Sequence, residues 1–415
     1  MKEAVSVSPV GRPLTGHISP PGSKSITNRA LLLAALAGGR SRLTGILRSD
    51  DTRYMIQALG MMGVDIRDAD ESSLEVNSAG RLRRPPAPLF VGNAGTAMRF
   101  LTAAAALGDG EIVVDGDERM RKRPIGALVA ALRLLGVQVR DSGGCPPVVV
   151  DGTGARLGGR TEIDGSLSSQ FVSALLMISP CGHLPIEVGL ANGDIGALGY
   201  VDLTLATMRR FGVDLEKTDP STWRAEPTGY QCADVRVEPD ASACTYLWAA
   251  AALTGGRIDV GVVASELSQP DAAALPFISA FPRMPVRIDG SQMQDAVPTL
   301  AVMAAFNSEP VRFVGIANLR VKECDRIRAL ATELARISPG LAREEGDDLI
   351  VDPNRLLVQP RRPIRIETYA DHRIAMSFAL AGLRIPGIEV LNPGCVVKTY
   401  PAFWRDLARV GVDVR

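Results

Sequence analysis

The chain has no excess of charge of either sign, because 46 lysine and arginine residues balance 46 aspartate and glutamate residues among its 415 residues. A neutral chain creates no long-range field that would attract nucleic acid or an anionic membrane. Its apolar runs are interrupted well before the roughly 18 residues that a membrane-spanning helix needs. We therefore expect neither a nucleic acid nor a membrane partner, and any preference for anions must come from local clusters of cations.

Cysteine and histidine are also scarce. The six cysteines are scattered and form no C-x-x-C pair, which is typical of free thiols in a reducing compartment. The three histidines are not paired at helical spacing, so a zinc site is not expected. The first residues lack the apolar core of a signal peptide. These features predict a soluble cytoplasmic protein without a zinc site.

Aromatic residues make up only 5% of the chain. The core must then be built from small aliphatic side chains, as in helices packed closely against sheets. A chain of this length can form two or more domains with sizeable cores.

One sequence motif recurs along the chain: an amphipathic helix pattern, then Gly-Val, then a short alternating strand pattern. The glycine stands where the C-terminus of a helix needs a positive φ. Six copies at about 70-residue spacing indicate a repeat protein. The clear copies span 56–67, 129–140, 205–216 and 404–415. Two weaker copies span 275–289 and 331–344, and either of these could instead be a chance amphipathic helix.

Each repeat also carries an opening strand pattern, such as GEIVVDGD at 110–117. Mixed helix and strand in every repeat predicts an α/β or α+β fold, with three repeats in each of two lobes. The division falls near 231–235, and the residues before Pro20 are expected to join the C-terminal lobe. The predicted lobes are therefore residues 20–233, and residues 1–19 with 234–415. Ligands commonly bind where domains meet.

The motif PGSKS at 21–25 is the first candidate anion site. A turn leads straight into an apolar helix, and the start of a helix presents unpaired N–H groups and the positive end of its dipole. Lys24, Ser25 and Arg29 reinforce that attraction. The motif could also be an N-capped surface helix with solvated cations. The first glycine of a Walker P-loop is missing, which argues against a nucleotide kinase.

Further polar clusters interrupt the aliphatic pattern. Taken alone, each cluster could be a helix cap or a solvated loop. In GNAGTAMRF, backbone N–H groups could surround an anion that Gly95 allows to approach. Cations at five or more such places suggest a ligand with two anionic groups. Asp295 and Glu323, isolated acids, are candidates for proton transfer. The clusters are 92–100, 116–126, 164–171, 318–327, 369–380 and Lys398.

These motifs resemble, nearly end to end and in the same order, those of the enolpyruvyl transferases. The resemblance implies two lobes, each of three βαβαββ repeats around a pseudo-threefold axis, an inside-out α/β barrel that closes on substrate. It implies transfer, without a metal or a cofactor, of the enolpyruvyl group of phosphoenolpyruvate to the 5-hydroxyl of shikimate 3-phosphate, with loss of phosphate from a tetrahedral intermediate. The matching motifs are PGSKSITNRALLLAAL, LFVGNAGTAMRF, RMRKRPIG, GSLSSQF, VKECDR, YADHRIAM and VKTYPAFW.

The resemblance also implies residue roles. The N-terminal lobe would mainly bind shikimate 3-phosphate, and the C-terminal lobe phosphoenolpyruvate, in a monomer. Asp295 would take the hydroxyl proton, and Glu323, together with Lys24, would protonate the methylene carbon. Contacts to shikimate 3-phosphate would come from Lys24, Ser25, Arg29, Ser168, Ser169, Gln170, Tyr200, Asp295, Asn318 and Lys322. Contacts to phosphoenolpyruvate would come from Lys24, Gly95, Arg123, Gln170, Arg326, Arg373 and Lys398.

Two positions depart from the family pattern. Ala197 replaces the usual serine three residues before Tyr200, which removes a hydroxyl donor to the acceptor's phosphate. Phe100 replaces a common proline, which could shift Gly95, the residue that indicates a glyphosate-sensitive enzyme. A transferase acting on another phosphorylated alcohol therefore stays open.

The sequence disfavours two rival functions. An enzyme for UDP-N-acetylglucosamine would carry a cysteine within 116–126, where this chain has none. A protein that only binds its ligand would not need the two acids.

Overall fold

The computed structural model describes residues 3–154, 156–356 and 363–415. The chain divides into two compact units. The central unit is Gly22–Glu238, and the terminal unit joins the residues up to Pro21 to Pro239–Arg415. These boundaries lie a few residues beyond those predicted from the sequence. Each unit has its own aliphatic core.

Helices and strands alternate through both units, so the mixed α/β class predicted from the sequence is confirmed. The strands are β1 Ala4–Val7, β2 Thr15–His17, β3 Ala37–Thr44, β4 Asp65–Asp70, β5 Ser73–Ala79, β6 Leu89–Phe90, β7 Asp109–Asp115, β8 Gln138–Ser142, β9 Cys145–Thr153, β10 Gly159–Gly165, β11 Ile186–Ile195, β12 Glu216–Asp219, β13 Thr222–Ala225, β14 Tyr230–Gln231, β15 Asp234–Arg236, β16 Arg257–Asp259, β17 Arg287–Asp289, β18 Val311–Val314, β19 Ala342–Glu345, β20 Asp348–Val351, β21 Ile364–Ile366 and β22 Ile388–Leu391. The α-helices are α1 Lys24–Leu36, α2 Asp50–Met61, α3 Gly95–Ala105, α4 Gly126–Leu134, α5 Ser169–Ile178, α6 Leu198–Arg210, α7 Ala241–Thr254, α8 Leu275–Ser279, α9 Val297–Ala304, α10 Arg326–Ile337, α11 His372–Gly382 and α12 Phe403–Arg409.

The central unit contains one sheet topology three times. In the sheet β6-β7-β9-β8, the opening strand β6 runs parallel to β7, and the remaining neighbours are antiparallel. The sheet β10-β11-β13-β12 has the same order and directions. In the third sheet β14 and β15 both run parallel to β3, and β3, β5 and β4 complete the pattern.

The clear sequence repeats coincide with a helix, a glycine and a strand. The glycines that follow α2, α4, α6 and α12 have φ values of 90°, 84°, 81° and 98°, a region that favours glycine. After each of α2, α4 and α6, the next strand forms an antiparallel hairpin. The weaker copy at 331–344 behaves alike, because α10 leads to β19, which pairs antiparallel with β20.

The interpretation of 275–289 as a repeat copy is wrong. Its helix α8 has only five residues, and β17 pairs parallel with β18, as the opening strand of a sheet does. Pro276, Pro282 and Pro285 lie in this segment, and proline restricts both the length of a helix and the conformation of the residue before it.

Both ends of the chain belong to the terminal unit. Strand β1 pairs antiparallel with β22, which is parallel to β21. Strand β2 runs parallel to β16. Ser6 and Arg415 exchange backbone hydrogen bonds of 3.0 Å in both directions.

Candidate active site

The start of α1 has the geometry that its motif predicts. Ser23 is the N-cap and accepts a 3.3 Å hydrogen bond from the Ile26 N–H. A side chain at position 22 would collide with the carbonyl oxygen of Gly45, so the turn requires glycine. Lys24, the first residue of the helix, places its Nζ 3.5 Å from Oδ2 of Asp51, and both side chains are largely buried.

Arg29 is a buried cation held by neutral groups. Its Nε donates to Thr204 Oγ1 at 2.7 Å, and its Nη2 donates to Ser173 Oγ at 3.2 Å and to the Tyr200 carbonyl oxygen at 3.1 Å. Burial lowers the pKa of Arg29 to about 10. In the part of the chain that the structure describes, no carboxylate lies within ion-pair distance of Arg29. An anionic ligand would therefore supply a counter-charge that these residues do not.

Phe100, one of the two departures from the family pattern, contributes to the surroundings of Arg29. Its ring is fully buried, and its centroid lies 5.3 Å from Cζ of Arg29. This distance is typical of a cation–π contact. The aromatic side chain at this position thus helps to hold the guanidinium of Arg29.

Gly95, the first residue of α3, lies against two guanidinium groups. An added Cβ would lie 2.8 Å from Nη2 of Arg123 and 2.8 Å from Nη1 of Arg99. Arg123 is buried and donates from Nη1 to Asn93 Oδ1 at 3.2 Å. The remaining cations of the basic loop are exposed, as expected of a solvated loop; they are Arg119, Arg121 and Lys122. Arg123 is thus the cation of that loop that joins this group.

The two serines at the start of α5 have different roles, because one caps the helix and the other is buried. Ser168 is the N-cap and accepts from the Gln170 N–H at 3.3 Å, while Ser169 is buried. Gln170 donates from Nε2 to Thr96 Oγ1 at 3.4 Å, which connects α5 to α3. Ala197, the second departure from the family pattern, is the buried N-cap of α6 and offers no side-chain hydrogen bond.

In the terminal unit, Arg326 is surrounded by carboxylates. Its side chain is 1% exposed. It donates to Asp295 Oδ1 at 2.9 Å, to Glu323 Oε2 at 2.8 Å and to Asp371 Oδ2 at 2.8 Å. Burial opposes its charge, but the three carboxylates together raise the pKa of Arg326 above its usual value.

Two further cations complete this cluster. Arg373 donates from Nη2 to Asp295 Oδ2 at 2.6 Å, and Lys398 donates from Nζ to Glu323 Oε1 at 2.8 Å. Burial opposes the charge of Arg373, but the carboxylate of Asp295 raises its pKa. Both candidate proton-transfer groups are thus bridged to Arg326 and to a second cation. The structure brings together Asp295, Glu323, Arg326, Arg373 and Lys398, which come from separate segments of the sequence.

Asp371 belongs to this cluster but was not predicted from the sequence. It is fully buried, binds Arg326 and caps α11 by accepting from the Arg373 N–H at 2.8 Å. An aspartate directly before a helix could have indicated the cap, although not its bond to Arg326.

The remaining predicted residues of the terminal unit, Asn318 and Lys322, lie on the segment that leads to α10. Among the described residues, the buried Oδ1 atom of Asn318 has no hydrogen-bond partner. A hydrogen bond from a ligand would satisfy this buried oxygen.

Neither a metal cluster nor a membrane span occurs within the described residues. They contain no group of three or more His, Cys, Asp or Glu side chains arranged to hold a metal ion. No helix within them is long and apolar enough to cross a membrane.

Solved structures share this fold over almost the whole chain. EPSP synthase from Acinetobacter baumannii matches with a TM-score of 0.79 and 26% identity, covering 100% of both chains. The enolpyruvyl transferase NikO from Streptomyces tendae matches with a TM-score of 0.73 at 19% identity, covering 99% of this chain and 98% of its own, which shows a common fold. The class is therefore that of the α/β transferases with the EPSP synthase fold.

Sequence comparison identifies the family. The model of EPSP synthase (3-phosphoshikimate 1-carboxyvinyltransferase) matches residues 9–407. A 3-phosphoshikimate 1-carboxyvinyltransferase from Rhizobium leguminosarum bv. trifolii is 65% identical over 98% of this chain and 97% of its own length. One from Pseudomonas syringae pv. syringae is 60% identical over 99% of this chain and 98% of its own. The chain belongs to the EPSP synthase family, and the prediction of an enolpyruvyl transferase enzyme of the shikimate pathway is confirmed.

Proposed function

We propose that the protein transfers the enolpyruvyl group of phosphoenolpyruvate to the 5-hydroxyl of shikimate 3-phosphate and releases phosphate through a tetrahedral intermediate. The observation that carries this proposal is the cluster around Arg326. It combines three cations with two acids that a binding protein would not need. The cations suit an anionic substrate, and the acids suit the two proton transfers of an addition–elimination reaction.

In the terminal unit, Asp295 would act as the base and Glu323 as the acid. The carboxylate or phosphate of phosphoenolpyruvate would accept hydrogen bonds from Arg326, Arg373 and Lys398. Because Arg326 and Arg373 now donate to Asp295, an incoming anion would take over some of these donors. Asp295 would then be able to accept the proton of the 5-hydroxyl, while Glu323 would deliver a proton to the methylene carbon.

In the central unit, Arg29 would bind shikimate 3-phosphate together with residues of α1, α5 and α6. The absence of a carboxylate beside Arg29 within the described residues supports this role. Lys24 would contact both substrates. Hydroxyl and amide contacts to shikimate 3-phosphate would come from Ser25, Ser168, Ser169, Gln170 and Tyr200, and contacts to phosphoenolpyruvate from Gly95, Arg123 and Gln170.

We propose in addition that the three repeats of each unit are arranged around a pseudo-threefold axis, as an inside-out α/β barrel. The sheet topology repeated three times in the central unit supports this arrangement. The enzyme would act as a monomer in the cytoplasm. All six cysteines are free thiols, which supports a reducing compartment.

The test is phosphate release from phosphoenolpyruvate and shikimate 3-phosphate by the purified protein, with EDTA present. We expect release that depends on both substrates. Release with a different phosphorylated alcohol, but not with shikimate 3-phosphate, would instead favour another acceptor, a possibility that Ala197 leaves open. Abolition by EDTA would contradict a metal-free reaction.

The two acids are tested separately in the same assay. Replacing Asp295 or Glu323 by alanine should lower turnover by about 100-fold or more if each transfers a proton. Near-normal turnover of either variant would remove that residue from the mechanism.

A further inference from the structure

The segment between β21 and α11 has an unusual backbone. Tyr369 and Ala370 are consecutive non-glycine residues with φ values of 54° and 50°. Side-chain-bearing residues rarely adopt this left-handed region, and they remain there only when their surroundings fix the backbone. The segment leads directly into Asp371 and Arg373, so its conformation determines where both groups lie.

A buried carboxylate on α10 holds this segment, in addition to the Glu367 carboxylate, which accepts from the Tyr369 N–H at 3.0 Å. Glu333 is fully buried. Its Oε2 accepts from the Glu367 N–H at 3.1 Å, and its Oε1 accepts from the Tyr369 hydroxyl at 2.7 Å. The same carboxylate pairs with Arg336 at 2.8 Å. Both oxygens of Glu333 are thus used to hold residues on either side of Thr368.

The hydrogen bonds continue from this segment into the candidate active site. The Asp371 N–H donates to the Thr368 carbonyl oxygen at 2.8 Å. The Asp371 carboxylate then accepts from Arg326 Nε and from the Arg373 N–H, at 2.8 Å in each case. A rotation of the backbone at 369–370 would therefore turn Asp371 and displace the guanidinium groups that it orients.

We propose that Glu333 and Tyr369 are positioning residues for phosphoenolpyruvate, which hold the left-handed segment that sets Asp371 and Arg373. The inference rests on the proposed function, because that function assigns Arg326 and Arg373 to phosphoenolpyruvate. Glu333 is too deeply buried to touch the substrate itself. It acts through Tyr369, Asp371 and the two arginines.

Two conservative variants test the proposal in the phosphate-release assay. Tyr369→Phe removes only the hydroxyl that donates to Glu333. Glu333→Gln keeps the size of the side chain but removes its negative charge, so its hydrogen bonds to Tyr369 and to the Glu367 N–H are no longer charge-assisted. We expect each variant to raise the KM for phosphoenolpyruvate about tenfold, the scale of one lost hydrogen bond to a charged group. The KM for shikimate 3-phosphate should stay within about twofold.

Tyr230→Phe is the matched control. It also removes a buried tyrosine hydroxyl, which donates to the Met177 carbonyl oxygen at 2.8 Å in the central unit. Its KM for phosphoenolpyruvate should equal that of the unsubstituted enzyme. Adding Ala370→Gly to Tyr369→Phe should lower the raised KM for phosphoenolpyruvate part of the way back to that of the unsubstituted enzyme. The reason is that glycine adopts a positive φ without a steric penalty.

The outcomes separate the possibilities. If Tyr369→Phe and Glu333→Gln melt at lower temperature but keep the KM for phosphoenolpyruvate within twofold, their role is merely structural and the inference is overturned. If Glu333→Gln fails to fold, the KM values of Tyr369→Phe and of the double variant with Ala370→Gly decide between these possibilities. An unsubstituted enzyme without activity would overturn the proposed function, and the inference with it.

Discussion

Changing Gly95 to alanine should weaken the binding of phosphoenolpyruvate without weakening the fold. The added Cβ would lie 2.8–2.9 Å from three terminal nitrogens of Arg123 and Arg99. Since nonbonded atoms settle near 3.5 Å, these nitrogens must retreat by about half an ångström or more. They are the flexible ends of long side chains, so the retreat costs little stability. Gly95 also lies in a helix, where alanine is the better residue.

The cost should instead appear in substrate binding. A charge-assisted hydrogen bond contributes about 1.5–3 kcal/mol, and each 1.4 kcal/mol is tenfold in affinity. Misplacing Arg123 by enough to lose one such bond should therefore raise the KM for phosphoenolpyruvate roughly 10- to 100-fold. Phosphate release at varied phosphoenolpyruvate concentration measures this, and thermal melting checks the fold.

Gly60→Ala provides the control for this prediction. Gly60 lies in α2 of the same unit, and a Cβ there meets nothing within 4 Å beyond its chain neighbours and the backbone of its own helix. Its KM should match that of the unsubstituted enzyme. If Gly95→Ala has the same KM as Gly60→Ala, Arg123 does not bind phosphoenolpyruvate, and the assignment made from Gly95 is refuted.

Three further predictions concern the buried cations and the cap of α6. Replacing Arg326 by methionine leaves the buried Asp371 carboxylate without its arginine partner, so the free energy of unfolding in urea should fall by about 3–5 kcal/mol; an unchanged midpoint would contradict the assigned ion pair. Ala197→Ser supplies the missing N-cap and should add about 1 kcal/mol, while also lowering the KM for shikimate 3-phosphate; no gain in urea resistance would refute the capping argument. Shikimate 3-phosphate at 100 times its Kd should stabilise the protein by about 2.7 kcal/mol, seen as a higher Tm, and a Tm shift that persists in Arg29→Gln would remove Arg29 from the site.

Local structure can largely be predicted from the sequence because its causes are local. Ser23 and Ser168 cap the helices that their motifs predict, and the repeat glycines have the positive φ that a helix end requires. The prolines of 275–289 can also be read from the sequence, and they shorten the helix of this segment. The pattern of the segment nevertheless favours a repeat copy, because it is similar to that of the other copies. The direction of strand pairing depends on which partner lies nearby, and periodicity does not contain that information.

The pairing of charges cannot be predicted in the same way. The residues bound to Arg326 come from three separate segments, and only the folded chain shows that Asp371 is among them. The sequence suggests that Phe100 perturbs Gly95, whereas the structure places its ring beside Arg29. Glu333 resembles one more polar residue of an amphipathic helix, although it is fully buried and holds a loop 34 to 36 positions away.

The hydrogen bonds between Ser6 and Arg415 mean that the two ends of the chain meet in one sheet region of the terminal unit. Where the chain passes between the two units, the Asp240 N–H donates to the Pro21 carbonyl oxygen at 2.8 Å, and the Ser23 N–H donates to the Glu238 carbonyl oxygen at 2.9 Å. The central unit is thus an insertion whose entry and exit lie side by side. A short linker from Arg415 to the start of β1 would allow a circular permutant that begins at Gly22. In such a permutant the ribosome would make the central unit first and then the whole terminal unit without interruption. Every strand pair of both units would be kept.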